Sequence, residues 1–161
     1  MKKIRLSKGR FALVDDEDFN ILSDFFWHVT PDGYAGRMSS KKDGERRLIR
    51  MHAEIMGSKK GHVIDHIDGD KLDNRRSNLR FATKAQNSWN TGLRRKNMTG
   101  FKGVSFNSKK ITNQFSARIR CNGINEFIGN FSTAEEAFEA YCKRGKEIHG
   151  DFFNPLNCNA P

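Results

Sequence analysis

Cysteine is scarce in this chain. Only Cys121, Cys142 and Cys158 occur in 161 residues, and no two form a C-x-x-C pair. That excludes a disulfide framework and a zinc knuckle, and it predicts reduced thiols in a reducing compartment. Long apolar runs are also missing: nothing approaches the roughly 20 residues that span a bilayer. The start, Met1-Lys2-Lys3-Ile4-Arg5, is basic with no apolar run behind it, so no signal peptide is expected. These absences predict a soluble, intracellular protein without a membrane partner. No internal repeat or low-complexity segment is present. Acid is absent from one stretch, Gly92 to Lys110, which holds six basic residues (Arg94, Arg95, Lys96, Lys102, Lys109 and Lys110).

A formal charge of +10 predicts an anionic partner. The acid-free stretch suits a phosphate backbone through charge and counterion release, and equally suits a solvated linker.

Hydrophobic spacing divides the chain into three segments. Residues 1–50 read as short strands and turns: Ile4 and Leu6, then Phe11 to Val14, then a short helix opened by the acids Asp15 to Asp18 and holding Phe19, Leu22, Phe25 and Phe26. Pro31-Asp32-Gly33 is a turn, after which Tyr34–Met38 pairs with Arg47–Met51 as a hairpin. Phe11, Phe19, Phe25, Phe26 and Trp27 are expected in the core, with His28 beside Trp27. Residues 52–91 read as a short helix (52–56), a strand at His62–Asp65, a polar loop, a strand at Leu79–Ala82, and a helix from the capping box Thr83–Gln86 to about Gly92. Residues 99–156 offer three strands, at 101–106, 115–120 and 125–129, with a turn at Asn122-Gly123. A second capping box, Ser132 to Glu135, opens an amphipathic helix with Ala134, Ala137, Phe138, Tyr141 and Ile148 on one face.

The chemistry gathers around Asp65-His66-Ile67-Asp68-Gly69-Asp70, with Asn74, Asn78-Leu79-Arg80 and Gln86-Asn87 downstream. Asp65 suits Mg²⁺ or Mn²⁺, which prefer oxygen donors, and Asn87 adds a neutral amide oxygen without further repulsion of a phosphate. An imidazole such as that of His66 can take a proton from water near neutral pH. Together they suit phosphodiester hydrolysis. Neighbours on a regular strand face opposite sides, so Asp65 and His66 are expected at the strand's exit, where Asp68-Gly69-Asp70 supplies a turn. Gly69 falls at the wrong place for an EF-hand. Asp68, Asp70 and Asp73 read as turn formers and Asn74 as a loop cap. Asn90 either reaches the site or faces water, and His62 and His149 are expected at the surface.

From His52 to Asn90 the chain resembles the HNH nuclease family, in its phage and intron-encoded branch, whose pattern is Asp-His, then Asn-Leu-Arg, then a helical Asn. The resemblance implies a ββα-metal fold with Asp65 and Asn87 as metal ligands and His66 as general base. It makes Asn78 a catalytic-site residue that orients the loop and the imidazole, and His52 a supporting residue. Residues 1–51 also look like the N-terminal part of phage HNH proteins. Residues 99–156 resemble the AP2 DNA-binding domain, a three-stranded antiparallel sheet on one helix, through Phe101-Lys102-Gly103-Val104, Phe115 to Arg120, Phe127 to Phe131, Ser132 to Ala137, Tyr141 and Gly150 to Pro155. That family inserts its sheet in the major groove, which implies DNA contacts from Lys102 and Arg120, with Phe115 and Phe127 standing where it usually has Trp. Alternation independently puts Arg118 and Arg120 on one face, with Ala117 and Ile119 on the other, packing on the helix. Ser105 and Asn107 replace arginines of the plant pattern and Arg118 replaces an acid, so the familiar target sequence does not carry over.

The fold expected is α+β: residues 1–91 as N-terminal region and nuclease unit, 92–98 as a basic linker, and 99–161 as the AP2-like domain. Arg94, Arg95 and Lys96 of the linker join the DNA contacts. The function expected is that of a metal-dependent DNA endonuclease of homing or phage type, in the cytoplasm of a bacterial host, acting on duplex DNA as monomer or homodimer. The alternative is a sequence-specific DNA-binding regulator with an idle nuclease unit.

Overall fold

The computed structural model describes residues 1–40, 45–93, 97–121 and 123–155. Its chain divides into two compact units, Met1–Lys84 and Ala85–Pro161.

In the first unit, β1 (Lys2–Arg5) and β2 (Phe11–Val14) form an antiparallel pair whose alternation buries Ile4, Ala12 and Val14. Helix α1 (Asp16–Ser23) opens with three acids, which complement its N-terminal dipole. It stops earlier than predicted, so Phe25 and Phe26 lie beyond it. Trp27 folds back instead, and its indole N–H donates to the Leu22 carbonyl at 2.8 Å, satisfying one of the helix's terminal acceptors. The predicted aromatic core is therefore corrected. Trp27 is buried and Phe19 packs on the core, but Phe11, Phe25 and Phe26 are exposed, Phe26 to 99%. The Arg37 guanidinium covers Phe25, 3.9 Å from its centroid.

A three-stranded antiparallel sheet follows, in the order β3 (His28–Val29), β4 (Ala35–Met38), β5 (Leu48–Arg50), so the predicted hairpin gains a third strand. Helix α2 (Met51–Met56) leads to β6 (Val63–His66), which pairs antiparallel with β7 (Leu79–Ala82). The loop between β6 and β7 lies along β2, with the Leu13 N–H donating to the Leu72 carbonyl at 2.9 Å and the Asn74 N–H to the Leu13 carbonyl at 2.8 Å. Arg76 fastens it to α1 through Asp18 and Glu17.

In the second unit, β8 (Val104–Phe106), β9 (Phe115–Cys121) and β10 (Ile124–Phe131) make an antiparallel sheet in the order β10-β9-β8. Ala117 and Ile119 of β9 are buried, and Arg118 and Arg120, which alternate with them, are exposed, as alternation predicted. Alternation sends Ile128 to the core while Phe127 stays exposed, and a register shift between Phe127 and Gly129 then brings Phe131 opposite Phe115. Helix α4 (Ala134–His149) covers the inner face with Ala137 and Tyr141. Its capping box is Thr133 with Glu136, one residue on from the predicted Ser132 and Glu135. Ser132 instead donates its hydroxyl to Asn113 Oδ1 at 2.9 Å. Gly103 sits at φ +77°, and a Cβ there would fall 2.2 Å from the Tyr141 ring, so only glycine fits. Helix α3 (Lys84–Asn90) belongs with this unit save for its first residue. Asn122 of the predicted turn lies outside the described residues.

Candidate active site

Strand β6 ends at His66, and the chain turns immediately, with the Gly69 N–H donating to the His66 carbonyl at 3.0 Å. Asp65 and His66 are thus the last two residues of the strand, and alternation sends them to opposite faces. Their partners agree. Asp65 stands opposite Arg80 on β7, and the guanidinium reaches its Oδ2 through both Nε and Nη2, each at 2.8 Å. His66 packs among Tyr34, His52 and Asn74. Its ring is edge-on to His52 at 5.2 Å and tilted against Tyr34 at 5.7 Å, and Tyr34 meets His52 at 5.1 Å. His52 and both members of the Asp65-His66 pair are buried.

Asn74 fixes the imidazole. Its Nδ2 donates to the Leu72 carbonyl at 3.2 Å, which turns Oδ1 toward His66 Nε2 at 3.4 Å. An amide oxygen accepts, so the contact assigns the proton to Nε2 and the basic lone pair to Nδ1. Burial pushes the His66 pKa below the usual histidine value, opposed by the Asn74 contact and by the charges of Asp68, Asp65 and Asp70. His66 is consequently neutral, the form able to accept a proton, at neutral pH. Burial drives His52 further, down to about 4, assisted by His66 and Arg50. Its Nδ1 is buried with no hydrogen-bond partner.

Asn78, also buried, holds the loop. Its Oδ1 accepts from the Asp68 N–H at 3.1 Å, and its Nδ2 donates to Asp68 Oδ1 at 2.8 Å and to the Asp73 carbonyl at 2.9 Å. Asp68, Asp70 and Asp73 are turn formers, as predicted, each accepting from the backbone N–H two residues on. Asp73 also pairs with Arg75, whose guanidinium holds its carboxyl below the ordinary range. The two parts of the predicted Asn78 role are divided: Asn78 orders the loop, and Asn74, expected to be a simple loop cap, touches the imidazole. No periodicity or turn rule marks Asn74 in the sequence. In the sequence Tyr34 is marked only as a hairpin residue.

Among the described residues no group of three or more His, Cys, Asp or Glu side chains is placed to hold a metal ion. The donors predicted instead, the Asp65 carboxylate and the Asn87 amide oxygen, are hard oxygens. Such a sparse set fits Mg²⁺ or Mn²⁺, which complete their shells with water and substrate. Asp65 belongs to the first unit and Asn87, on α3, to the second.

On the second unit, Arg118 and Arg120 project from the exposed face of β9, and Phe127, opposite Arg118 on β10, is 52% exposed. The Arg118 guanidinium lies 5.6 Å from the Phe127 ring centroid. Phe115 has the parity of Ala117 and Ile119 and packs against the inner core and Phe106. Lys102 donates to the carbonyls of Trp89 at 2.7 Å and Thr91 at 2.6 Å, which engages two of its three ammonium protons within the unit. His149, expected at the surface, is buried and stacked on Trp89. Asn90 is buried as well. Arg94, Arg95 and Lys96 lie outside the described residues. No helix among the described residues is long and apolar enough to cross a membrane.

The family model described as HNH endonuclease matches residues 56–89. The chain is 34% identical over 151 residues to "Uncharacterized HNH endonuclease L560" of Acanthamoeba polyphaga mimivirus, an alignment covering 92% of this chain and 75% of the relative. It is 32% identical over 93 residues to "Protein 3.8" of Escherichia phage T7, covering 58% of this chain and 74% of the relative. No solved structure matches it. The chain belongs to the HNH endonuclease family and is a nuclease.

Proposed function

We propose that the chain is a divalent-metal-dependent DNA endonuclease of homing or phage type, built from a ββα-metal unit and an AP2-like DNA-binding sheet. The observation that carries this reading is the fixed imidazole at the end of β6. His66 is neutral, has its Nε2 turned to Asn74, and ends the strand directly after Asp65, with the loop that follows locked by Asn78. His66 acts as general base, taking a proton from the attacking water at Nδ1. Asp65 and Asn87 would hold Mg²⁺ or Mn²⁺. A divalent ion bound there supplies Lewis-acid polarisation of the scissile phosphate. Asn78 keeps the loop in register, and His52 and Tyr34 wall the imidazole.

The exposed sheet face, with Arg118, Arg120 and Phe127, enters the major groove, which admits such a surface. Arg94, Arg95 and Lys96 add charge along the backbone. Lys102 and Phe115 are engaged within the unit, which supports Arg118 and Arg120 as the principal contacts. One site per chain makes a nick the elementary product, with 5′-phosphate and 3′-hydroxyl ends by family analogy. Two strands require a homodimer or two events. The setting we assign is the cytoplasm of a host cell.

Supercoiled plasmid tests the reading. Relaxed or linear product is expected with Mg²⁺ or Mn²⁺ and none with EDTA, and Asp65→Ala and His66→Ala should each abolish cutting while DNA binding persists. Cutting that persists in EDTA refutes metal dependence. Binding without cutting by the wild-type chain favours the regulator.

A further inference from the structure

Helix α3 carries Asn87 but is only seven residues long, and helices under about 12 residues are marginal on their own. Its position must come from what it is tied to. The described ties within the second unit converge on its last turn. The Trp89 ring lies flat on His149 of α4, with centroids 4.1 Å apart and planes at 18°. The Lys102 ammonium, just before β8, takes the carbonyls of Trp89 and Thr91 at 2.7 and 2.6 Å. These groups lie in and just past the helix's final turn, where acceptors are otherwise unmet and a cation opposes the dipole. Thr91 closes the end by donating its hydroxyl to the Asn87 carbonyl at 3.1 Å.

We infer that Trp89, Lys102 and His149 are positioning residues for cleavage: they clamp α3 to the C-terminal unit and so fix Asn87 for metal binding. The inference rests on the reading of Asn87 as a metal ligand. It gives Lys102 a role other than phosphate contact.

The full-length chain tests this with Trp89→Ala, Lys102→Met and His149→Ala, read by three measurements: hydrogen exchange of α3 amides, Mn²⁺ affinity by calorimetry, and duplex affinity in EDTA. The expected result is faster exchange confined to α3, Mn²⁺ affinity weaker by about tenfold, the scale for losing residues that orient metal ligands, and duplex affinity unchanged for Trp89→Ala and His149→Ala. His149→Phe keeps the aromatic plate and should restore both exchange and Mn²⁺ affinity, which separates positioning from misfolding. Unchanged α3 exchange in all three variants overturns the clamp. Faster exchange with unchanged Mn²⁺ affinity overturns its link to the metal, as does failure of His149→Phe to restore it. Asn87→Ala, run in parallel, separates the two ideas. If it leaves Mn²⁺ affinity intact, the ligand reading has failed and the inference falls with it. If it weakens Mn²⁺ while the clamp variants do not, the inference alone has failed.

Discussion

Acid should weaken the first unit well before its carboxylates titrate, through His52. This histidine is buried against His66 and Tyr34, and its pKa falls from 6.5 to about 4 because burial disfavours the charged ring. A depressed folded-state value means the unfolded chain takes the proton first. The stability is therefore complete above pH 6.5 and is lost as pH falls toward 4. At 1.36 kcal/mol per pKa unit, the two values give a loss of about 2 kcal/mol at pH 5, rising to about 3 kcal/mol at pH 4. His66 shifts in the same direction and adds to the effect. His52→Phe isolates the first share, because it fills the same space, removes the titration, and also removes the unpartnered Nδ1. Urea unfolding of metal-free protein in EDTA, in a Trp89→Phe background so that Trp27 alone reports, gives the measurement. The gap between wild type and His52→Phe should shift in the variant's favour by about 2 kcal/mol from pH 7 to pH 5. Parallel curves across that range refute the reasoning.

Other consequences follow from single contacts. Arg80→Ala leaves the buried Asp65 carboxylate without its cross-strand guanidinium and should cost about 3 kcal/mol in urea unfolding, the range for breaking a buried pair. Asn78→Ala removes three hydrogen bonds within the loop and should speed proteolysis at residues 67–78 while abolishing cleavage. Gly103→Ala, which adds a Cβ 2.2 Å from Tyr141 at positive φ, should prevent cooperative folding of the second unit by near-ultraviolet dichroism. If Arg118 and Arg120 touch phosphates, each alanine substitution should reduce the slope of log affinity against log salt by about one.

How far the sequence carries depends on whether a feature is local. The alternation of Ala117, Arg118, Ile119 and Arg120 predicted their faces because the pleat enforces it residue by residue. The turn roles of Asp68, Asp70 and Asp73 were legible for the same reason, since each closes on a backbone group two residues away. The surroundings of His66 were not. Tyr34, His52 and Asn74 approach from a hairpin, a helix and a loop, and only tertiary packing brings them to one ring. Phe25 and Phe26 misled because hydrophobicity predicts burial only while the helix continues, and Trp27 ends it by returning to Leu22. The burial of His149 is not legible because its partner Trp89 lies 60 residues back in the sequence, and only tertiary packing stacks the two rings.

The role of His66 is tested most directly by the single-turnover cleavage rate of a defined duplex at saturating Mn²⁺, measured against pH for wild type and His66→Ala. The account predicts a wild-type rate that declines only below pH 6.5, as the buried imidazole is protonated. It predicts a variant slower by about 100-fold or more that has lost this limb. A variant that cuts at the wild-type rate, or retains the same limb, contradicts His66 as the base.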